Sequence, residues 1–104
     1  MKRGEVWWAG LPKPGGRRPV VLLSRDEAYQ VRSLVTVAPV TTRIRDIPVE
    51  VRLGPPDGLP GDCAVNLDTI TTIPKSILTE RITLLSPEKL SALNDAIAFA
   101  LALP

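Results

Sequence analysis

The chain has 104 residues, a formal charge of +2 at pH 7, 44% hydrophobic residues and 23% charged ones. This is the composition of one globular domain, predicted over residues 1–104, and it excludes a disordered chain. With no histidine and a single cysteine, Cys63, the chain also excludes an internal disulfide, a four-ligand zinc site and every catalytic scheme that needs a histidine base, the two-histidine route to RNA cleavage included.

Met1 to Glu5 carries charges with no apolar segment behind them. No apolar run approaches the ~20 residues of a membrane span. A soluble cytoplasmic protein is therefore expected. Gly4 to Ala9 reads as a short strand holding Val6, Trp7 and Trp8. Leu11-Pro12-Lys13-Pro14-Gly15-Gly16-Arg17 reads as a mobile basic loop, because prolines lack a donor and glycines favour open turns. Pro19 to Leu23 is a continuous apolar run, expected to be a buried strand. Arg25 to Tyr29 suggests a helical turn. Leu34 to Thr41 is the next strand, with Pro39 expected at an edge or bulge. Pro48 to Leu53 alternates as a strand with one wet face does. After a turn at Gly54 to Gly58, short strands or irregular pieces follow at Asp62 to Asn66 and Thr69 to Ile73, and a last strand at Ile82 to Leu85.

The tail changes period. Ser86 is a good N-cap and Pro87 a good first helical residue. Leu90, Leu93, Ile97 and Leu101 recur at helical spacing, with Ala96 and Ala100 beside them, which predicts an amphipathic helix of four to five turns. The whole reads as mainly β, a small bent barrel with one C-terminal α-helix.

Charge is uneven. Residues 1–52 carry ten Lys/Arg against five Asp/Glu, whereas residues 53–104 carry three against six. Nine of the thirteen cations are arginine, whose planar fork fits phosphate oxygens two at a time. The front half suits a polyanionic partner, and would equally serve as a solvated face. Within it, Arg18 precedes Pro19, which holds it extended beside a glycine-rich stretch. Thr41-Thr42-Arg43-Ile44-Arg45 places hydroxyls and cations where the strand's apolar run stops. Adjacent Trp7 and Trp8 must point to opposite faces of a strand, one into the core and the other toward an interface or a base. Cys63 reads as a small buried hydrophobe. The acids Glu5, Asp26, Asp62 and Asp68 show no metal-site or dyad spacing, and no cofactor is implied.

Four stretches in order resemble the MazF/PemK family of toxin endoribonucleases: Arg3-Gly4-Glu5-Val6-Trp7-Trp8; the Gly-rich loop into Arg18-Pro19-Val20-Val21-Leu22-Leu23; Ala38-Pro39-Val40-Thr41-Thr42; and Asp62-Cys63-Ala64-Val65-Asn66-Leu67-Asp68-Thr69-Ile70. Leu78 to Ile82 followed by a helix fits as well. The resemblance implies an SH3-like barrel of the CcdB/MazF plasmid-maintenance toxin fold. It implies a homodimer and metal-independent, sequence-specific cleavage of single-stranded RNA by 2′-hydroxyl attack. It also implies a cognate MazE-like antitoxin whose acidic segment covers the RNA groove. Arg18 and Thr41 match the family's catalytic arginine and threonine. Lys13, Arg17, Thr42, Arg43 and Arg45 are the expected RNA-binding cations and hydroxyl, and Asp68 and Thr69 are expected to help read bases. Two alternatives share the barrel. One is a CcdB-like gyrase poison, whose tryptophan-containing C-terminal tripeptide is not matched by Leu101-Ala102-Leu103-Pro104. The other is a barrel that binds RNA without cutting it.

Overall fold

A computed structural model describes all 104 residues. Along the chain run β1 (Glu5–Leu11), β2 (Gly16–Leu22), α1 (Ala28–Val31), β3 (Leu34–Thr41), β4 (Glu50–Leu53), β5 (Cys63–Asn66), β6 (Thr71–Pro74), β7 (Leu78–Leu84) and α2 (Pro87–Ala100). Every strand pairing is antiparallel. β7, β1, β2, β3 and β6 are neighbours in that order, and a 3-10 turn at Lys75–Ile77 leads from β6 back into β7. The ribbon thus curls into a small barrel that closes through a turn instead of a ladder. β5 and β4 extend it from the end of β3.

Alternate residues of a strand share a face, so each of the central strands feeds two cores. Ala9, Val20, Leu22, Val35, Val37, Ile73 and Leu78 fill the barrel, with Tyr29 of α1 among them. Val6, Val21, Ala38 and Val40 point the other way and pack with Val51, Leu53 and Val65 of β4–β5 and with Leu93 and Ala96 of α2. Ser86 accepts a hydrogen bond from the Lys89 backbone N at 3.2 Å, capping α2 as its sequence predicts. No helix is long and apolar enough to cross a membrane.

The mainly β architecture with its C-terminal helix is as expected, but details differ: β1 runs on to Leu11 past the expected Ala9, and α1 lies at Ala28–Val31 instead of starting at Arg25. The expected loop at residues 11–17 is a tight hairpin, with Gly10 paired to Arg17 and Leu11 to Gly16. Pro12 and Pro14 fall in the turn, while Gly16 and Arg17 keep their N–H groups and extend β2 backwards. The last strand starts at Leu78 instead of Ile82, since Thr79, Glu80 and Arg81 pair with β1 along an exposed edge and need no apolar pattern. The strand expected from Pro48 begins at Glu50. Finally, α2 has 14 residues, just under four turns, and Leu101 lies past its end, 56% exposed.

One local irregularity positions the site. β3 pairs with β6 over Leu34–Val37 and with β5 over Val40–Thr41, and its ladder with β2 ends at Val20–Pro39. Pro39 therefore falls in the gap between two partners, the irregular position its ring requires. Pro19, next along β2, has no N–H to continue the ladder. Two prolines facing a strand junction part β2 from β3 there.

Candidate active site

β2 and β3 are antiparallel, so the start of one lies beside the end of the other. The barrel-facing row of β2 reads Leu22, Val20, Arg18; that of β3 reads Val35, Val37, Pro39, Thr41. Both rows turn from apolar to polar at the same rim, where β2 and β3 part. There Arg18, Pro39, Thr41, Arg43, Arg45, Asn66 and Thr69 line an open cleft of about 290 Å³. Three guanidiniums and no carboxylate face it, which makes it a receptor for an anion.

The side chains are held by short local bonds. Arg18 is half-buried and donates from Nε to the Gly15 carbonyl at 3.2 Å, so the hairpin turn fixes the guanidinium. Thr41 Oγ1 accepts from the Arg43 backbone N at 3.1 Å. Asn66 Nδ2 donates to Thr69 Oγ1 at 2.9 Å, while its Oδ1 accepts from the Asp68 backbone N at 3.0 Å and caps the 3-10 turn Leu67–Thr69. In both threonines a fixed donor occupies the hydroxyl oxygen, leaving the proton to be given to a ligand. Glu50 receives Arg45 twice, from the backbone N at 2.9 Å and from Nε at 3.0 Å. Burial alone would raise the Glu50 carboxyl, but these bonds outweigh it and hold the pKa below the usual carboxylate value. The pair steadies the Thr42–Val49 loop and sets Arg45 at the cleft.

Of the expected site residues, Arg18, Thr41, Arg43, Arg45 and Thr69 come together. The others stand apart from that lining. Arg17 lies over the Trp8 ring, 4.2 Å from its centroid, and reaches Glu80 at 3.7 Å. Lys13 sits exposed in the hairpin turn, Asp68 is exposed on its 3-10 turn, and Thr42 lines the neighbouring apolar slot. The tryptophans do point opposite ways: Trp7 packs against the barrel core, and Trp8 lies beside Pro19 in that slot. Asn66 is a cleft residue the sequence reading left unassigned; an asparagine opening a short polar turn is the signal that marks it.

Glu5, the acid nearest the family-like opening, is not in the cleft. Its buried carboxylate accepts from Trp7 Nε1, the Lys2 backbone N and Arg81 Nε, each at 3.0 Å. Burial pushes its pKa up, but those donors outweigh burial and leave it lowered. Cys63 is buried as expected, and burial pushes its thiol pKa up.

A barrel whose rim gathers arginines and hydroxyl donors has the chemistry of an anion receptor. Residues 2–101 match the family of PemK-like, MazF-like toxins of type II toxin–antitoxin systems. A probable endoribonuclease MazF5 of Mycobacterium tuberculosis is 41% identical over 99 residues, covering 94% of this chain and 90% of the relative. A solved Mycobacterium tuberculosis toxin, MazF-mt6, superposes with a TM-score of 0.89 at 33% identity, over 96% of this chain and 98% of that one. A mycobacterial endoribonuclease in complex with its cognate antitoxin gives 0.88 at 32% identity, over 100% and 97%. The chain belongs to this toxin family and is, with these relatives, of the endoribonuclease class. Neither a gyrase poison nor a non-catalytic barrel is favoured.

Proposed function

We propose that residues 1–104 act as one domain that cuts single-stranded RNA at short sequence motifs without a metal ion. The observation that supports this most is the meeting of Arg18 and Thr41 on one carboxylate-free cleft. RNA carries its own nucleophile. The 2′-oxygen attacks the adjoining phosphorus, the 5′-oxygen leaves, and the proton lost from the first is regained by the second. The products are a 2′,3′-cyclic phosphate and a 5′-hydroxyl. The protein's part is to hold the in-line geometry and to neutralise charge on the phosphoryl oxygens. Arg18 supplies a fixed fork for those oxygens. Thr41 donates its hydroxyl to the same phosphate, its own oxygen being occupied by the Arg43 backbone N–H. Arg43 and Thr69 hold the flanking phosphates, with Arg45 beside them but already paired to Glu50.

The working unit is a homodimer in the cytoplasm, kept silent by an antitoxin with an acidic segment. An acidic peptide suits a cleft with three arginines, and Phe99, Leu101 and Leu103 form an exposed apolar chain end that a second copy would cover. The test is cleavage of a short RNA in chelator, beside the same RNA with one 2′-deoxy sugar at the cut. Cutting of the first and not the second is expected. Cutting of both would refute 2′-oxygen attack.

A further inference from the structure

On the other side of the strand parting lies a second cavity of about 220 Å³, lined by Trp8, Pro19, Val40, Leu59, Pro60, Asp62 and others. Thr41 lines both this slot and the cleft, so the two are continuous around one residue. The characters of the two are opposite: the cleft is cationic, the slot apolar with an aromatic wall. Their union matches one nucleotide, a phosphate on one side of Thr41 and a flat ring on the other.

Asp62 distinguishes this slot from a mere packing gap. Its carboxylate is exposed and enters no ion pair. It is also the only carboxylate in the slot's lining: Asp57 accepts from the Gly54 backbone N at 2.9 Å, and Asp68, though likewise unpaired, lies outside that lining. A Cβ on Gly54 would stand 3.0 Å from Asp62 Oδ1, so the bare glycine leaves that oxygen its place. An unpaired carboxylate beside a polyanion's path opposes binding unless it meets a donor on the ligand.

We infer that the slot takes the base of one nucleotide flanking the scissile phosphate, and that Asp62 selects that base by accepting hydrogen bonds from its edge. This rests on the RNA-cutting reading above. Arg17 covers one face of Trp8; contact with the uncovered side of that ring and with Pro19 is indifferent to base identity, since every base has a π-face. The carboxylate is not indifferent, because it only accepts. Guanine offers two adjacent donors, N1–H and the 2-amino group. Cytosine and adenine each offer one amino group beside a ring nitrogen that repels it. Uracil offers one N–H between two carbonyl oxygens. Guanine is the expected occupant and uracil the poorest.

The experiment maps cut ends on a long transcript for the parent chain, Asp62→Asn, Asp62→Glu and Arg18→Ala. It adds cleavage rates on four short RNAs differing only at the mapped base. The parent is expected to favour guanine at one position beside the cut. Asp62→Asn is expected to cut a broader set of sites, with the guanine-over-uracil ratio reduced about tenfold, the size of one bidentate base contact. Asp62→Glu is expected to alter the ratio at the same position only. An identical base preference in the parent and both Asp62 variants overturns the inference while leaving the nuclease intact. Failure of the parent to cut any RNA overturns the reading it rests on. Cutting by the parent that Arg18→Ala abolishes separates the two failures.

Discussion

Two places in this barrel hold arginine against strand β1 or β2, and they end differently. At the start of β1, Glu5 meets Arg81 at 3.0 Å and also takes the Trp7 indole and the Lys2 backbone N–H. Every lone pair that matters is used by the chain itself. At the rim of β2, Arg18 and Arg43 face a cleft with no carboxylate in its lining and enter no ion pair, whereas Arg45 beside them is already paired with Glu50. A charge answered from within is held by the fold and costs stability only when its partner is lost; like charges unanswered from within point to a ligand from outside. The contrast separates an arginine used by the fold from one left free for a ligand, where residue type alone does not.

The comparison breaks hardest at Arg18. Arg18→Ala should lower the cleavage rate by about 10²–10³-fold, as loss of one oxyanion donor does, with the far-UV dichroism and melting midpoint close to those of the parent. An unchanged rate would move the chemistry elsewhere. Glu5→Gln should show the reverse pattern. Removing one charged partner from a buried network costs about 1–3 kcal/mol, read as a lower denaturant midpoint, while the cleavage rate below that midpoint stays near the parent's. The pH dependence has a definite sign. The folded carboxyl of Glu5 titrates below its ordinary value of 4.5. The unfolded chain therefore binds more protons in that window, and the stabilisation is complete above about pH 4.5 and lost as pH falls through the lowered folded value. Stability of Glu5→Gln should accordingly fall less steeply in acid than that of the parent.

Much of this was legible in the residues. The apolar runs at Pro19–Leu23 and Leu34–Thr41 named β2 and β3, and the helical spacing of Leu90, Leu93 and Ile97 named α2, because burial demands apolar residues there. Arg18 and Thr41 were legible because both stand where apolar strand runs stop. The hairpin at residues 11–17 was not legible, since prolines in a two-strand turn and prolines in a loose loop give the same composition, and only pairing partners distinguish them. The length of β7 was hidden for the opposite reason: Thr79, Glu80 and Arg81 are edge residues held by backbone pairing with β1. Arg17 was expected among the RNA-binding cations, yet strand alternation sends it to the face opposite Arg18, onto Trp8. Asn66 acts through hydrogen bonds with Thr69 and the Asp68 backbone that no pattern in one sequence exposes.

Thr41 refines the contrast inside the cleft, between a group that carries charge and one that aims a proton. Thr41→Val keeps the shape and the β-branch but removes the hydroxyl, and should lower the cleavage rate about tenfold, the value of roughly one hydrogen bond of about 1.4 kcal/mol. Thr41→Ser should restore most of it. A Ser variant as slow as Val would mean that the methyl group, not the proton, is what the site uses.

The smallest effect belongs to Arg43. Its guanidinium is exposed and unpaired, so on the proposed reading it would meet RNA as a screened cation. Arg45 stands in the same lining but is tied to Glu50 by two bonds, and brings little net charge to an incoming phosphate. Arg43→Ala should therefore weaken binding of an uncuttable 2′-deoxy-substituted RNA severalfold and reduce the slope of log affinity against log salt by about 0.7, one single-strand phosphate contact. Arg45→Ala should change that slope less, while freeing the Glu50 carboxylate to repel the backbone. If the two variants shift the slope equally, internal pairing does not decide which arginines serve the ligand, and the contrast drawn between Glu5–Arg81 and the cleft loses its physical basis.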